Sequence, residues 1–201
     1  MFYEIIVSIL SGLLYFIMPL KIIGREKAVY GQGVVLAANH QSFWDPIFIA
    51  IAYKKRMNFM GKKELFSFKP FGALLSALGA FPVNRGSADL KAVKTALGVL
   101  KDGKPLLLFP EGTRVRAGEQ AEIKNGVAMF ALKTKSLIQP VALYGAFKPF
   151  RRTYVVFGDP ISYEEYYGKK LDSEILSAVS DDVITRIRKI VSDTKKCLAK
   201  Q

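Results

Sequence analysis

Cysteine, histidine and tryptophan are almost absent from this chain, which has one of each among its 201 residues. The single Cys197 cannot form an intramolecular disulfide, so a disulfide-stabilised secreted fold is not indicated and a reducing, cytosolic environment fits better. With one histidine, His40, and no cluster of Cys and His, the sequence predicts no metal centre and no bound cofactor. A chain of this length is expected to form one domain with a substantial apolar core.

Acidic residues are also scarce relative to basic ones. Lys and Arg number 30 and Asp and Glu 17, which gives a net charge of +13 at pH 7. This excess predicts an anionic partner, which can be nucleic acid, an acidic membrane surface, a phosphorylated substrate or an acidic carrier protein. Because the basic residues are spread along the chain rather than interleaved with aromatics on one element, nucleic acid is disfavoured.

One long apolar run is present near the N-terminus, from Ile5 to Leu20. The acidic Glu4 before it and the lack of a small-residue cleavage site argue against a signal peptide. As a helix the run would reach about 24 Å, short of the roughly 30 Å hydrocarbon core of a bilayer. Insertion into one leaflet is the favoured interpretation, with a short span or a buried core helix as alternatives. We therefore predict a membrane-associating segment at residues 1–24 and a folded domain at residues 25–201.

Apolar runs that alternate with amphipathic segments predict the fold. Short β-branched or apolar runs predict strands at residues 34–38, 58–60, 80–83, 105–109, 137–143 and 154–157. Helical patterns lie at residues 45–53, 70–78, 88–101, 125–135 and 172–199. The helix at 88–101 is predicted to be capped by Ser87 and to bury Leu90. Strands alternating with helices predict a single α/β domain with a mainly parallel or mixed sheet flanked by helices.

His40 directly follows the predicted strand at 34–38, where open α/β sheets place their ligands. An imidazole can act as a general base when a carboxylate holds its other nitrogen, and Asp45 lies five residues further on. Asp45 before Pro46 also predicts a helix start with aspartate as the N-cap. The residues alone leave two interpretations open, a general-base dyad or a surface histidine followed by a capping aspartate. Ser42 is disfavoured as a nucleophile because the chain has no G-x-S-x-G elbow.

A second polar segment, FPEGTR at residues 109–114, follows the predicted strand at 105–109. Backbone N–H groups near Gly112, the Thr113 hydroxyl and the Arg114 guanidinium can together bind an oxyanion or a phosphate. A solvent-exposed turn is the alternative interpretation. Further cations that can reach such a site are Arg85 and Lys124.

Taken in order, NHQSFWD (39–45), GAFPVNR (79–85), FPEGTR (109–114) and IQPV (138–141) resemble the four sequence blocks of the glycerolipid acyltransferase family. The resemblance is strongest to its 1-acyl-sn-glycerol-3-phosphate acyltransferases. Two positions depart from the family pattern: Asn84 stands where an aspartate commonly precedes the arginine of the second block, and Val115 where a serine commonly follows the third.

The resemblance implies a role for each matching residue. His40 would be the general base and Asp45 the carboxylate that orients it. Pro140 would belong to the fourth block, and Lys124 with Gly126 resembles the basic and glycine pair that often follows the third. The phosphate-acceptor region would comprise Arg85, Glu111, Gly112, Thr113 and Arg114.

The resemblance also implies an activity. The acyl chain of a thioester, carried by coenzyme A or by acyl carrier protein, would pass directly to the free hydroxyl of 1-acyl-sn-glycerol 3-phosphate, giving phosphatidic acid without a covalent acyl-enzyme. The protein would lie on anionic lipid at the cytoplasmic side of the cell membrane, peripheral or monotopic. Alternatives are the same chemistry on glycerol 3-phosphate or another lysolipid, and a non-catalytic basic protein that binds membrane or nucleic acid. The apolar residues from Leu65 to Leu78 are either part of an acyl tunnel or ordinary core.

Overall fold

A computed structural model of the chain describes residues 2–84, 89–115, 122–145 and 147–200. Within these ranges the chain forms one seven-stranded sheet with α-helices on both faces. The strands are β1 Leu20–Ile23, β2 Val34–Ala38, β3 Asn58–Lys62, β4 Ala80–Val83, β5 Pro105–Leu108, β6 Leu137–Gly145 and β7 Thr153–Phe157. The helices are α1 Phe2–Ile17, α2 Asp45–Tyr53, α3 Lys69–Ala77, α4 Leu90–Lys101, α5 Gly126–Thr134 and α6 Ser173–Leu198. The predicted α/β class is confirmed.

The sheet is mostly parallel, with the strand order β1-β7-β6-β2-β5-β3-β4. Only β6 and β7 pair antiparallel, so the sheet is mixed. β2 lies between β5 and β6, and all five of its residues are buried. Burial on both faces explains why β2 is a continuous apolar run rather than an alternating one.

The two faces of the sheet carry different helices. Val35 and Ala37 of β2 face a core formed with α4, α5 and α6, whereas Leu36 and its same-face neighbours pack against α1 and α2. The β2–α2–β3 and β3–α3–β4 crossovers run in the same direction across the sheet, so their common right-handedness puts α3 in the α1–α2 layer. Leu78, just after α3, accordingly lines a small apolar cleft together with residues of α1 and α2.

β1 was not predicted from the sequence, because its four residues include Lys21 and follow directly on the N-terminal apolar run. It is a strand because its backbone pairs in parallel with β7. Residues 20–23 of the predicted membrane-associating segment therefore belong to the sheet. The division of the chain at residue 24 stays a prediction.

The start of α4 differs from the prediction. Ser87 lies outside the described residues, and the N-cap is Asp89, whose side chain accepts a hydrogen bond from the backbone N–H of Ala92 at 3.0 Å. Leu90, predicted to be buried, exposes 70% of its surface. The buried residues are Ala92, Ala96 and Leu100.

Helix α1 has one packed face and one exposed apolar face. Leu14, and Met18 just after the helix, are buried against the sheet, and the Tyr3 hydroxyl donates to the backbone oxygen of Lys55 at 3.1 Å. Large apolar side chains are exposed on the other face, at Ile5, Ile9, Leu13, Phe16 and Ile17. Among the described residues, no helix combines the length and the apolar character needed to cross a bilayer.

Candidate active site

The carboxyl ends of β2, β5, β3 and β4 meet at one edge of the sheet, because these strands run parallel. Three of the four sequence blocks lie there. Asn39–Asp45 follows β2, Phe109–Arg114 follows β5, and Asn84 follows β4. The sheet order thus brings together segments that are about 70 residues apart in the sequence.

Asn39 fixes the end of β2 to the neighbouring β6. Its side-chain nitrogen donates to the backbone oxygen of Leu143 at 2.9 Å, and its side-chain oxygen accepts from the backbone N–H of Leu143 at 2.8 Å. Both bonds are buried, so breaking them would leave two backbone groups unsatisfied in the core. The residue before His40 is therefore held rigidly.

His40 and Asp45 form the predicted pair. Nδ1 of His40 lies 2.8 Å from Oδ2 of Asp45, whose side chain is fully buried. An ionised carboxylate accepts the hydrogen on Nδ1, which leaves the lone pair of Nε2 free to take up a proton. The imidazole itself exposes 12% of its surface, enough for a small group to reach it.

Asp45 does not cap α2, and the N-cap prediction was wrong. It is the first residue of the helix, the N-cap position is Trp44, and Trp44 makes no side-chain cap bond. The Asp45 carboxylate instead turns back to the loop, where Oδ2 accepts the backbone N–H groups of Gln41 at 2.6 Å and Ser42 at 2.7 Å. One oxygen therefore binds three donors, which fixes the loop and the imidazole in the same geometry.

Ser42 supports this loop rather than offering a nucleophile. Its hydroxyl oxygen accepts the backbone N–H of Trp44 at 3.2 Å, and its own N–H is bound to Asp45. The side chains of Phe43 and Trp44 are exposed on the outer side of the loop.

The FPEGTR segment holds His40 from the other side. The Phe109 ring stacks on the imidazole with 4.0 Å between ring centroids and 18° between planes. Oε2 of Glu111 accepts the His40 backbone N–H at 2.7 Å, and the backbone N–H of Val115 donates to the His40 oxygen at 2.9 Å. Both backbone groups of His40 are thus bound, one by the FPEGTR segment and the other by the residue that directly follows it.

Glu111 is half-buried beside His40. Burial raises the pKa of its carboxyl above the usual 4.5, and the hydrogen bond from the His40 N–H offsets part of that rise. Its contact is with the backbone of the catalytic candidate, whereas the sequence resemblance assigned Glu111 to the phosphate-acceptor region.

The rest of the segment forms the exposed rim of the site. Gly112 has φ of +64°, and a Cβ there would lie 3.1 Å from Cγ of Lys124, so glycine suits both the backbone and the space. Thr113 and Arg114 are exposed beside it. The Lys124 N–H donates to the Pro110 oxygen at 2.7 Å, and its ammonium pairs with Glu122.

The profile of the family described as Acyltransferase matches residues 19–144, which is more than half of the chain. The chain belongs to the acyltransferase family. This confirms the resemblance drawn from the four sequence blocks.

Named relatives of this acyltransferase-family chain include a "1-acyl-sn-glycerol-3-phosphate acyltransferase" of Streptococcus pneumoniae, which is 32% identical over 82% of this chain and 63% of its own length. A protein of the same name from Bacillus subtilis is 28% identical over 85% of this chain and 87% of its own length. The crystal structure of the 1-acyl-sn-glycerophosphate (LPA) acyltransferase PlsC from Thermotoga maritima shares the fold, with a TM-score of 0.75 at 21% identity over 96% of this chain and 78% of that one.

The second and fourth sequence blocks, residues 79–85 and 138–141, make no hydrogen bond or ring contact with the His40 side chain among the described residues. Arg85 lies outside the described residues, but Asn84 before it is at the same sheet edge as His40, three inter-strand steps or roughly 14 Å away. Pro140 lies within β6 in register with Ala37, below the rim, where its oxygen accepts the N–H of Gly158 at 2.9 Å.

Sequence reasoning missed three supports of the histidine. These are the Asn39 clamp, the Phe109 ring and the Val115 backbone bond. The first has a signal in the sequence, since a polar amide directly after a fully buried strand must find buried partners. The other two depend on the register between β2 and β5, which the sequence does not reveal.

The arrangement can remove a proton from a bound hydroxyl group. It offers a buried carboxylate, an imidazole with one nitrogen held and the other available, and an exposed cationic turn close by. In the part of the chain that the structure describes, no three His, Cys, Asp or Glu side chains gather as metal ligands.

Proposed function

We propose that this protein transfers an acyl chain from a thioester to the free hydroxyl of 1-acyl-sn-glycerol 3-phosphate, giving phosphatidic acid. The observation that carries the proposal is the His40–Asp45 pair at 2.8 Å, held at the carboxyl edge of the sheet by the FPEGTR segment. The proposal is also supported by the names of the relatives, which act on this acceptor.

In the proposed reaction, Nε2 of His40 takes the proton of the acceptor hydroxyl as its oxygen attacks the thioester carbonyl. Collapse of the tetrahedral intermediate breaks the carbon–sulfur bond, and the imidazolium returns the proton to the leaving thiolate. Asp45 stabilises the imidazolium between these steps and keeps Nδ1 as the donor. No covalent acyl-enzyme is required, which fits the use of the Ser42 hydroxyl as a backbone acceptor.

The acceptor phosphate is proposed to bind at the rim. Arg114 can bind two phosphate oxygens at once, and Thr113 can add a hydroxyl donor. Arg85 and Lys124 are further candidate phosphate contacts, with Gly112 leaving room for the lysine stem. Contacts to the phosphate would fix the distant hydroxyl near Nε2 and so contribute to the rate through orientation. We assign Glu111 to holding the His40 loop rather than to the phosphate.

The protein is proposed to work on the surface of the cell membrane, with its site on the cytoplasmic side. Exposed apolar side chains on α1 recur about every fourth residue, at Ile5, Ile9 and Leu13. Each large apolar side chain that leaves water for lipid stabilises the bound state by about 1.5 kcal/mol or more. One face of α1 packs on the domain, which favours insertion of the other face into a single leaflet.

The apolar residues from Leu65 to Leu78 remain a candidate for holding an acyl chain. Phe66 packs tightly against Gly61 and Gly72, where a Cβ would lie 3.0 Å or less from it. The neighbouring Phe68 and Phe71 are exposed in the same layer as α1. Because these side chains are not buried in the core, contact with lipid or with the acyl chain of a substrate would explain why they are apolar.

The donor and the acceptor can be tested together. Purified full-length protein is incubated with lysophosphatidate, glycerol 3-phosphate or lysophosphatidylcholine, and with either acyl-coenzyme A or acyl carrier protein thioester. The proposal expects phosphatidic acid from lysophosphatidate with at least one donor. If product forms only from glycerol 3-phosphate, that compound is the acceptor instead. If no combination of acceptor and donor gives product, a non-catalytic membrane protein is favoured.

A further inference from the structure

The connection between β6 and β7 includes residues 147–152, with the sequence Phe-Lys-Pro-Phe-Arg-Arg, here called the basic loop. It plays no part in the proposed chemistry. Residues 148–152 are all exposed, and Phe150 exposes 79% of its surface, the highest value among the exposed large apolar residues. Its immediate surroundings in the sequence are the cations Lys148, Arg151 and Arg152. A single exposed ring is ordinary at a protein surface, so its meaning depends on whether it joins a larger apolar patch.

The backbone of the basic loop holds its two rings on opposite sides. Phe147 has φ of +48° and Phe150 has φ of +59°, a region that bulky side chains rarely adopt. Phe147 turns inward, where its ring lies 6.3 Å from that of Phe48. Phe150 turns outward, although an apolar ring is normally stabilised by burial. An unfavourable backbone that presents an apolar ring to the outside is a reason to look for a function.

The basic loop is joined to the end of α1. The backbone N–H of Phe150 donates to the oxygen of Ile17 at 2.6 Å, and the N–H of Thr153, just after the loop, donates to the oxygen of Pro19 at 2.9 Å. The last turns of α1 expose Leu13, Phe16 and Ile17. Phe150 therefore lies beside the exposed apolar face of α1, and the three exposed cations are its neighbours in the loop.

We propose that the basic loop is a second membrane contact, in which Phe150 enters the boundary between headgroups and acyl chains while Lys148, Arg151 and Arg152 bind anionic phospholipid headgroups. Apolar area combined with bordering cations is the requirement for interfacial binding to anionic lipid. The inference rests on the proposed attachment of the protein to membrane. An acidic protein partner would account for the cations but not for the continuity of Phe150 with α1.

The position of the loop gives this contact a consequence. β6 runs parallel to β2, so the basic loop leaves the sheet at the same edge as His40. Two contacts, at α1 and at the loop, would fix the orientation of the domain on the membrane and not only its distance from it. The rim that is proposed to bind the acceptor phosphate would then face the headgroup layer.

The test measures partition of the full-length protein, without substrates, onto vesicles of phosphatidylcholine alone and of phosphatidylcholine mixed with phosphatidylglycerol. One variant carries Lys148→Gln, Arg151→Gln and Arg152→Gln. A second carries Phe150→Asn, because asparagine tolerates the left-handed backbone. One matched control carries Lys195→Gln, Lys196→Gln and Lys200→Gln, which removes equal charge from exposed positions in the last turn of α6 and just after it. The other is Leu90→Ser, which removes an apolar side chain exposed on α4.

Each cation at an anionic surface raises the partition coefficient about fivefold. The partition of the loop triple variant onto anionic vesicles should therefore fall by between about 5-fold and about 100-fold, and its partition onto neutral vesicles should change little. The partition of Phe150→Asn should fall on the order of 10-fold on both vesicle types. The controls should stay within about twofold of the wild type on the same scale.

The proposal is overturned if the loop triple variant partitions like the wild type, or if the α6 control loses as much. It is also overturned if vesicle binding is unchanged while only the KM for acyl carrier protein thioester rises, since the loop would then bind an acidic protein. Thermal unfolding of each variant shows whether a loss comes from misfolding. Because vesicle partition is measured without substrate, its outcome is independent of whether the protein acylates lysophosphatidate.

Discussion

Replacement of Glu111 separates a residue that positions His40 from one that binds the acceptor phosphate. In Glu111→Ala the backbone N–H of His40 loses the acceptor that lies at 2.7 Å. A buried donor left without a partner costs about 1–3 kcal/mol, and because Glu111 is only half-buried the lower half of that range applies. If this cost falls on the alignment of the imidazole, kcat decreases by roughly 5- to 30-fold.

The assay is steady-state acyl transfer with lysophosphatidate as the varied substrate. The loop-holding role predicts a lower kcat with an almost unchanged KM for lysophosphatidate in Glu111→Ala. Glu111→Gln keeps an acceptor oxygen and should recover kcat to within about fivefold of the wild type, since a neutral hydrogen bond replaces a charged one. A raised KM with unchanged kcat in both variants would contradict the loop-holding role and assign Glu111 to the phosphate site.

The same residue gives a pH dependence of stability. Burial raises the pKa of Glu111 above 4.5, so the folded protein holds this proton more tightly than the unfolded chain does. The protonated Glu111 carboxyl therefore adds to the free energy of unfolding. This contribution is complete below pH 4.5 and is lost as pH rises through the folded-state pKa. The Tm of the wild type minus that of Glu111→Gln should therefore increase as pH is lowered from 8 toward 4. A difference that decreases over this interval would contradict the assigned burial.

Three further results are expected. Asp45→Asn should lower kcat by about 10³- to 10⁴-fold with folding retained, because the imidazole loses its charged partner and its tautomer; a loss under tenfold would argue against the dyad. Asn39→Ala should lower the free energy of unfolding by about 2–5 kcal/mol in urea titration, because two buried groups of Leu143 lose their partners, and an unchanged midpoint would contradict the clamp. Combined Ile5→Ser, Ile9→Ser and Leu13→Ser should release the protein from neutral vesicles by about 100-fold or more in flotation, whereas retention at low and high salt alike would contradict insertion of α1.

Much of the fold could be predicted from local patterns. β2 reads as a strand because five consecutive apolar residues fit only a position buried on both faces, and its bounds agree with the prediction. β1 could not be predicted, because Leu20–Ile23 is a strand only through its pairing with a partner more than 130 residues away. The buried face of α4 was predicted from its large residues, whereas Ala92 and Ala96 pack inside and Leu90 does not.

For the candidate site, the sequence proposed residues but did not specify their contacts. The spacing of His40 and Asp45 alone left a dyad or a surface histidine beside a capping aspartate open. The resemblance of the four blocks favoured the dyad, and the two side chains do meet at 2.8 Å. That Asp45 faces the loop rather than capping α2 depends on the backbone N–H groups of Gln41 and Ser42. The hydrogen bond between Glu111 and the His40 backbone depends on the register of β2 with β5, which a single sequence does not specify.

Replacement of His40 tests the central proposal most directly. In His40→Asn a side-chain amide can still donate to Asp45, so the buried carboxylate keeps a partner while the basic Nε2 is lost. Acyl transfer to lysophosphatidate is measured beside thermal unfolding and vesicle partition for His40→Asn, His40→Ala and the wild type. We expect both variants to lose turnover by about 10³-fold or more, while His40→Asn keeps the wild-type Tm and vesicle binding. Turnover within tenfold of the wild type in either folded variant would contradict the central proposal.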